Sequence, residues 1–385
     1  MQFFPSDAEK KKVDALVQSV ISRINVPKAK AKLGGSGAKG TWLAGTHDID
    51  IYVCFDYNAY KNKSDQLSDI LQKRLKKCFK KLERLHGSRD YFQIKEDGFT
   101  VEIVPILKIA NARQAKNITD VSQLHANYVK RNTNEKLRND IRKAKAFCKA
   151  AGVYGAESYI QGFSGYLAEL LVIHYGSFGK LAKAAAKWKE NKEIGSKKDV
   201  ARLNPSKKTS PLIVIDPVDS TRNAAAALSK EKYEHLINAC KRYVKRHSEK
   251  FFVIPVFSIS DIRKKHNAVL AVQVHPGKRD VIGAELRKKF EQIAHQLRYH
   301  DFLIRKSGWH WDEKSRKAYF YFQLKENVLP AMRMIRGPPI SMHMAALAFR
   351  QAHSKAFAKN GRVHAVERRR FRTAQQVLNN FKQPL

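Results

Sequence analysis

The chain has 385 residues, 74 of them Lys or Arg and 35 Asp or Glu, which leaves a formal net charge of +39. Its 43% hydrophobic content is enough for real cores, so a disordered basic tail is excluded as a description of the whole, and the length suggests two or three domains. The charge asks for a polyanionic partner, nucleic acid ahead of a membrane surface, with a cell-wide bias toward lysine as the bland alternative.

Residues 7–25 place Val13, Leu16, Val17, Val20 and Ile21 at helical spacing. Residues 34–46 form a turn region holding Gly34, Gly35, Gly37, Gly40 and Gly45. Residues 48–55 then alternate as a strand, with Ile49, Ile51, Val53 and Phe55 on one face and Asp48, Asp50, Tyr52 and Cys54 on the other. An apolar stripe predicts a helix over 64–85, and strands follow at 90–95 and 99–107. Helical periodicity covers 135–151, 158–176, 178–190 and 221–247, with Asp216-Pro217-Val218-Asp219 as a turn that caps the last of these. Strands return at 251–257, 268–275, 317–324 and 363–371, around a helix at 282–297. The expected organisation is a mixed α/β domain over 1–138, a helical domain over 139–247 and an α+β domain over 248–385. Basic runs are spread over all three blocks, so the charge is no detachable tail.

Cys54, Cys78, Cys148 and Cys240 fit no zinc or redox spacing and read as reduced thiols. The first seven residues lack the basic-then-apolar pattern of a secretory signal. The apolar stretch 159–178 is interrupted by Gln161, Glu169 and His174, too polar to cross a membrane. A soluble, cytoplasmic protein is expected.

The sharpest local feature is Gly35-Ser36-Gly37-Ala38-Lys39-Gly40-Thr41 followed by Asp48-Ile49-Asp50. In a strand, residues i and i+2 share a face, so the two carboxylates project together and repel unless a cation neutralises them. A Gly-rich turn upstream can bring backbone N–H groups and the Ser36 hydroxyl to phosphate oxygens, and Lys39 adds a point charge. Together these suit Mg²⁺-dependent nucleotidyl transfer. Glu102 alternates into the hydrophobic run Phe99-Thr100-Val101-Glu102-Ile103 and is the candidate third carboxylate. The plainer readings are solvated carboxylates on an exposed strand face and an exposed edge residue for Glu102.

Gly35-Ser36 with Asp48-x-Asp50 resembles the polymerase-β-like nucleotidyltransferase superfamily. Three further stretches narrow the resemblance: Gly152-Val153-Tyr154-Gly155-Ala156-Glu157, Gly162-Phe163-Ser164-Gly165-Tyr166-Leu167-Ala168-Glu169, and Asp216-Pro217-Val218-Asp219-Ser220-Thr221-Arg222-Asn223. They are similar to the class I, archaeal type of CCA-adding enzyme, and the likeness runs through Leu329-Pro330, Gly337-Pro338-Pro339 and 368–374. The resemblance implies an α+β multidomain protein with a polymerase-β-like catalytic domain, a helical central domain and an α+β RNA-binding C-terminal domain. It implies addition of C, C and A to the 3′ end of tRNA from CTP and ATP, and repair of incomplete ends. Asp48, Asp50 and Glu102 match its metal-binding carboxylates, and Gly35, Ser36 and Lys39 its triphosphate-binding turn. His125, Lys145 and Tyr154 match nucleotide contacts, and Arg222 the arginine that reads the base; a planar fork of donors suits that task. Mg²⁺ is the implied cofactor and tRNA, ATP and CTP the partners, with a homodimer left open.

Two departures stand out. The third carboxylate is Glu102 where the family has Asp, and Asp120-Val121-Ser122-Gln123 replaces Asp-Arg-Thr-Pro. Taken alone, His125 reads as a cap, Lys145 as a solvated lysine, Tyr154 as a loop plug and Arg222 as surface charge one turn into a helix. Asp216 and Asp219 read as capping residues. Gly162, Gly165, Phe163 and Tyr166 read as a close helix–helix contact. The aromatics in 307–311 and 319–322 suit stacking on RNA, about half of the latter being sheet core instead. The competing functions are a related template-independent polymerase, such as a poly(A) polymerase or oligoadenylate synthetase, and a degenerate RNA-binding module.

Overall fold

Alternation of apolar and polar side chains builds the first sheet. The computed structural model describes residues 3–385; Met1 and Gln2, which open the segment examined for a signal, lie outside it. Strands β1 (Ala29–Leu33), β2 (Asp48–Asp56), β3 (Glu83–Leu85), β4 (Tyr91–Glu96) and β5 (Phe99–Lys108) pair in the order β1-β2-β5-β4-β3. β2 and β5 run parallel, which sets Ile51 beside Ile103 and Asp50 beside Glu102. Ile51, Val53, Phe55, Val101 and Ile103 are fully buried in one cluster with Leu67, Leu71 and Leu75 of the helix Leu67–Cys78 and Val17 and Val20 of the helix Asp7–Arg23. Each such side chain contributes about 1.5–3 kcal/mol relative to exposure. Covering one face of the sheet in this way leaves the polar rungs of β2 and β5 to the other.

The chain divides into two compact units, one ending at Pro255 and the other beginning at Val256. The first unit has a second core in which Phe147, Phe163, Leu171 and Tyr233 are buried. The helices Glu135–Ala150, Gly165–Tyr175, Phe178–Ala185 and Lys230–Lys245 supply most of it. A small sheet, β6 (Lys192–Ile194), β7 (Leu212–Asp216) and β8 (Asp219–Asn223), lies in order against it. In the second unit β9 (Ala268–Gln273), β10 (Ile304–Asp312) and β11 (Lys317–Leu324) pair as β10-β11-β9, sharing a core with the helix Arg279–Tyr299. Its other sheet, β12 (Met332–Pro339), β13 (Ala356–Lys359) and β14 (Arg362–Arg368), pairs as β12-β14-β13. On β11, Phe320 and Phe322 are fully buried in the core of the β10-β11-β9 sheet, while Tyr319 and Tyr321 fall on the alternate face beside Phe257 and His266. Among the described residues no helix is long and apolar enough to cross a membrane, and all four cysteines are free.

Several elements differ from the sequence expectation. The helix expected over 64–85 stops at Cys78; Phe79 turns extended, and the chain returns to pair β3 with β4. The helix expected over 158–176 begins at Gly165 behind a Ser164 cap. The residues before it are pinned by a bridge between Tyr154 and Phe163, where a Cβ on Gly162 would lie 2.2 Å from the Val153 carbonyl oxygen. That glycine therefore serves a loop, not a helix–helix contact. The helix expected over 221–247 starts at Lys230, capped by Ser229, because Asn223 ties its segment into β8 through bonds to the Val214 N–H and the Leu212 and Lys207 carbonyls. Asp216–Asp219 is accordingly a hairpin turn, and Arg222 sits on a strand. No strand forms at 251–257: Glu249–Phe252 is a 3-10 turn, and Val253, Ile254 and Val256 are exposed around Pro255, which has no N–H to donate.

Candidate active site

The turn between β1 and β2 is built around two close approaches. Gly35–Lys39 forms a short helical turn with Gly35 at φ 50°, and the Gly34 N–H donates to the Asp50 carbonyl at 2.8 Å. A Cβ on Gly35 would sit 1.7 Å from Asp50 Oδ2, so only glycine lets the turn lie against that carboxylate. A cleft follows, lined by Ser36, Gly37, Asp48 and Asp50 with Trp42 and Thr46.

Asp48 and Asp50 share a face of β2, and Asp50 stands opposite Glu102 on β5. Burial pushes the Asp50 carboxyl up; Lys39 pulls it back and Asp48 adds to the rise. Burial, then Asp50 and Asp48, push Glu102 up to about 7, against a 3.4 Å hydrogen bond donated by Gln93 Nε2. Among the described residues no three His, Cys, Asp or Glu side chains are drawn into a ready-made metal cluster. The donor set nevertheless fits a divalent cation: hard carboxylate oxygens whose charges push up Asp50 and Glu102 carry a repulsion that such an ion removes.

Lys39, Lys145 and Tyr154 gather around a residue that sequence reasoning did not single out. Glu169 is fully buried and accepts from Lys39 Nζ at 2.7 Å, Lys145 Nζ at 2.7 Å and Thr41 Oγ1 at 2.6 Å. Lys145 Nζ also donates to Thr41 Oγ1 at 2.9 Å, so the lysine that taken alone reads as solvated is instead enclosed. Burial alone would raise the Glu169 carboxyl, but Lys145 and Lys39 outweigh it and hold it at about 2. The Tyr154 hydroxyl stands beside this group, close to Gly165, where a Cβ would lie 2.8 Å from it. Lys149 Nζ lies 5.3 Å from the Tyr154 ring; burial lowers its pKa, against the opposing charge of Asp48, and sequence reasoning passed this cation over.

His125 and Arg222 gather around Asp216. That carboxylate is fully buried and takes four donors: His125 Nε2 at 2.8 Å, Arg222 Nη1 at 2.6 Å, Tyr166 Oη at 3.0 Å and the Val218 N–H at 3.1 Å. Burial would raise it; the bonds from His125, Val218 and Arg222 bring it below the ordinary carboxylate range. Asp216 is thus an anchor for two candidate nucleotide contacts, not a helix cap, while Asp219 does turn the chain by accepting from the Thr221 N–H. Tyr166 links the two groups. Its ring stacks on His125 with centroids 4.0 Å apart, and Lys39 Nζ lies 5.6 Å from its centre. Both acids stand in the stretches that carry the resemblance, but neither was given a role at the site; the residue-level signal for each is an acid within an otherwise apolar run.

The altered segment before His125 keeps its anchor. Asp120 is fully buried, pairs with Arg89 and accepts from the Leu107 N–H at 2.8 Å; Ser122 hydrogen-bonds the Tyr52 hydroxyl.

The fold and the matching family models define a nucleotidyltransferase. A nucleotidyltransferase domain matches residues 13–145, the second domain of tRNA nucleotidyltransferase matches 139–253, and the C-terminal domain of CCA-adding enzyme matches 268–383. The CCA-adding enzyme of Methanosarcina barkeri is 30% identical over 98% of this chain and 86% of that one, and that of Nanoarchaeum equitans is 33% identical over 88% and 84%. The chain belongs to the CCA-adding enzyme family. A Cid1 poly(U) polymerase crystal structure shares the fold, with a TM-score of 0.50 and 16% identity over 66% of this chain and 95% of that one. The poly(A)-polymerase-like and degenerate-module alternatives are not favoured, since the second and third matches are to tRNA- and CCA-specific domains.

Proposed function

We propose that this chain adds C, C and A in turn to the 3′ end of tRNA, taking CTP and ATP and releasing pyrophosphate, and restores incomplete ends. The observation that carries the reading is the β2–β5 register, which sets Asp50 opposite Glu102 and beside Asp48 under the Gly-Ser turn. Asp48, Asp50 and Glu102 would hold Mg²⁺, which when bound lowers the pKa of the attacking 3′-hydroxyl and neutralises the triphosphate. Ser36 and the glycine backbone at Gly35 receive the triphosphate, with Lys39 and Lys145 as fixed positive charges and the Tyr154 hydroxyl beside them. Glu169 holds both ammonium groups in place before substrate arrives, so little reorganisation is needed at the moment of reaction. Asp216 does the same for Arg222 and His125, which face the base of CTP or ATP. The chain is proposed to be organised as a catalytic domain over 1–138, a helical nucleotide-binding neck over 139–247 and a tRNA-binding domain over 248–385, and to work in the cytoplasm.

The test is incorporation of labelled CTP and ATP into three tRNA transcripts: one lacking CCA, one ending in C and one ending in CC. CTP should enter only the first two and ATP only the third, with Mg²⁺ required. Extension of RNA that is not tRNA by ATP alone would overturn the assignment.

A further inference from the structure

A second concave site lies in the C-terminal unit, which holds none of the residues assigned above to nucleotide or metal. The helix Arg279–Tyr299 ends there, and the pocket is lined by Tyr299, His300, Arg333 of β12, and Arg369, Arg370 and Phe371 just after β14. Its cavity is about 140 Å³, below the roughly 300–1,000 Å³ that encloses a whole small molecule, so it suits one group of a larger ligand.

The chemistry of the lining is specific. Three guanidinium groups converge. Arg369 pairs with Asp301, and Arg333 reaches Asp301 at 3.8 Å and Glu367 at 3.7 Å. Among the described residues, the Nε atoms of both Arg333 and Arg369 are buried with no hydrogen-bond partner. Buried donors of this kind are costly unless a ligand acceptor meets them. Arg370 lies over the Phe371 ring at 5.2 Å and makes no ion pair among the described residues. The rings form a connected wall: Tyr299 meets His300 at 5.0 Å, His300 meets Phe371 edge-on at 4.8 Å, and Tyr299 is 63% exposed. Burial and then Arg333 and Arg370 hold the His300 imidazole below its ordinary pKa, as a positive pocket requires.

We infer that this pocket binds an RNA phosphodiester, with the neighbouring unpaired nucleotide stacked on Tyr299. Arginines match phosphate oxygens in a fork geometry, and exposed rings beside them suit an unstacked base. A free phosphate would use the cations and leave the rings idle. The inference deepens the tRNA reading above and rests on it.

The test measures tRNA binding by filter retention, with incorporation kinetics alongside. The variants are Arg370→Ala and Tyr299→Ala, both at exposed positions, and Tyr299→Phe as the conservative control. Arg370→Ala should weaken tRNA binding and flatten the slope of log affinity against log salt by about 0.7–0.9, the share of one phosphate contact. Tyr299→Ala should weaken binding by about 5- to 150-fold, while Tyr299→Phe retains it. Both alanine variants should raise KM for tRNA and leave kcat and the melting curve unchanged. The inference is overturned if both bind tRNA like wild type, if only Arg370→Ala has an effect, or if inorganic phosphate alone at millimolar concentration displaces all Tyr299-dependent binding. Because binding is read directly, wild-type protein that binds tRNA but adds no nucleotide would refute the proposed activity and still decide the pocket.

Discussion

Replacing Glu169 by Gln should damage the first unit more than any surface change. The carboxylate is fully buried and neutralises Lys39 and Lys145, the latter only 2% exposed. Gln keeps the shape and loses the charge, leaving Lys145 enclosed without an anion; breaking a buried pair this way costs about 3–5 kcal/mol. The carboxyl itself agrees in size. It is held at about 2 in the fold against an ordinary 4.5, a shift worth about 3 kcal/mol of stability at neutral pH. That contribution is complete above about pH 4.5 and fades as pH falls toward 2. Urea unfolding can be followed by tryptophan fluorescence, since Trp188 is stacked on Tyr233 in the helical core of the same unit. A Glu169→Gln/Lys145→Met double variant, which removes both charges, should recover most of the loss. Wild type should also lose about 3 kcal/mol more than the double variant between pH 4.5 and 2. A single variant that loses less than about 1 kcal/mol, or a double variant no better than the single, would refute this account of the buried cluster.

Three further outcomes follow from the site. Asp50→Asn should cut nucleotide incorporation by at least about 10³-fold, some 4 kcal/mol of barrier, while tRNA retention on filters is unchanged. Gly35→Ala should abolish incorporation and lower the urea midpoint, because its Cβ would lie 1.7 Å from Asp50 Oδ2, whereas Gly45→Ala, with open space around it, should cost only about 1 kcal/mol for its positive φ. Asp216→Asn should raise KM for CTP and ATP by about 10- to 100-fold through loss of a charged hydrogen bond to Arg222 and His125, with tRNA affinity kept; nucleotide kinetics at saturating tRNA would check it.

Much of the candidate catalytic face was legible in the sequence. Alternation over Asp48–Asp56 and Phe99–Lys108 separates acids from apolar rungs, and the observed burial follows it as far as Val53 and Pro105; beyond them Cys54 and Ile106, on the alternate face, are buried as well. The glycines of the turn were read as a cradle for phosphate oxygens; in the structure one of them is pressed against Asp50. These are period-two and single-residue effects, set by chain geometry within a few positions. The first turns of the helix expected over 221–247 failed to form, for the complementary reason. Its residues have the spacing of a helix, but the side chain of Asn223 finds backbone partners on β7 that no local pattern can announce.

By itself, then, the sequence determined the strand faces, the Gly-Ser turn, the acids that the first sheet presents and the positive charge that calls for a polyanion. Only the tertiary structure decided the partners of the buried charges. Lys39 and Lys145 meet Glu169 across separations of 130 and 24 residues, and His125 meets Asp216 across 91. An acid inside an apolar run looks the same in sequence whether it is solvated or anchors a site. What separates the two is the presence of cations within hydrogen-bond reach in a dry interior, and that depends on how distant segments pack.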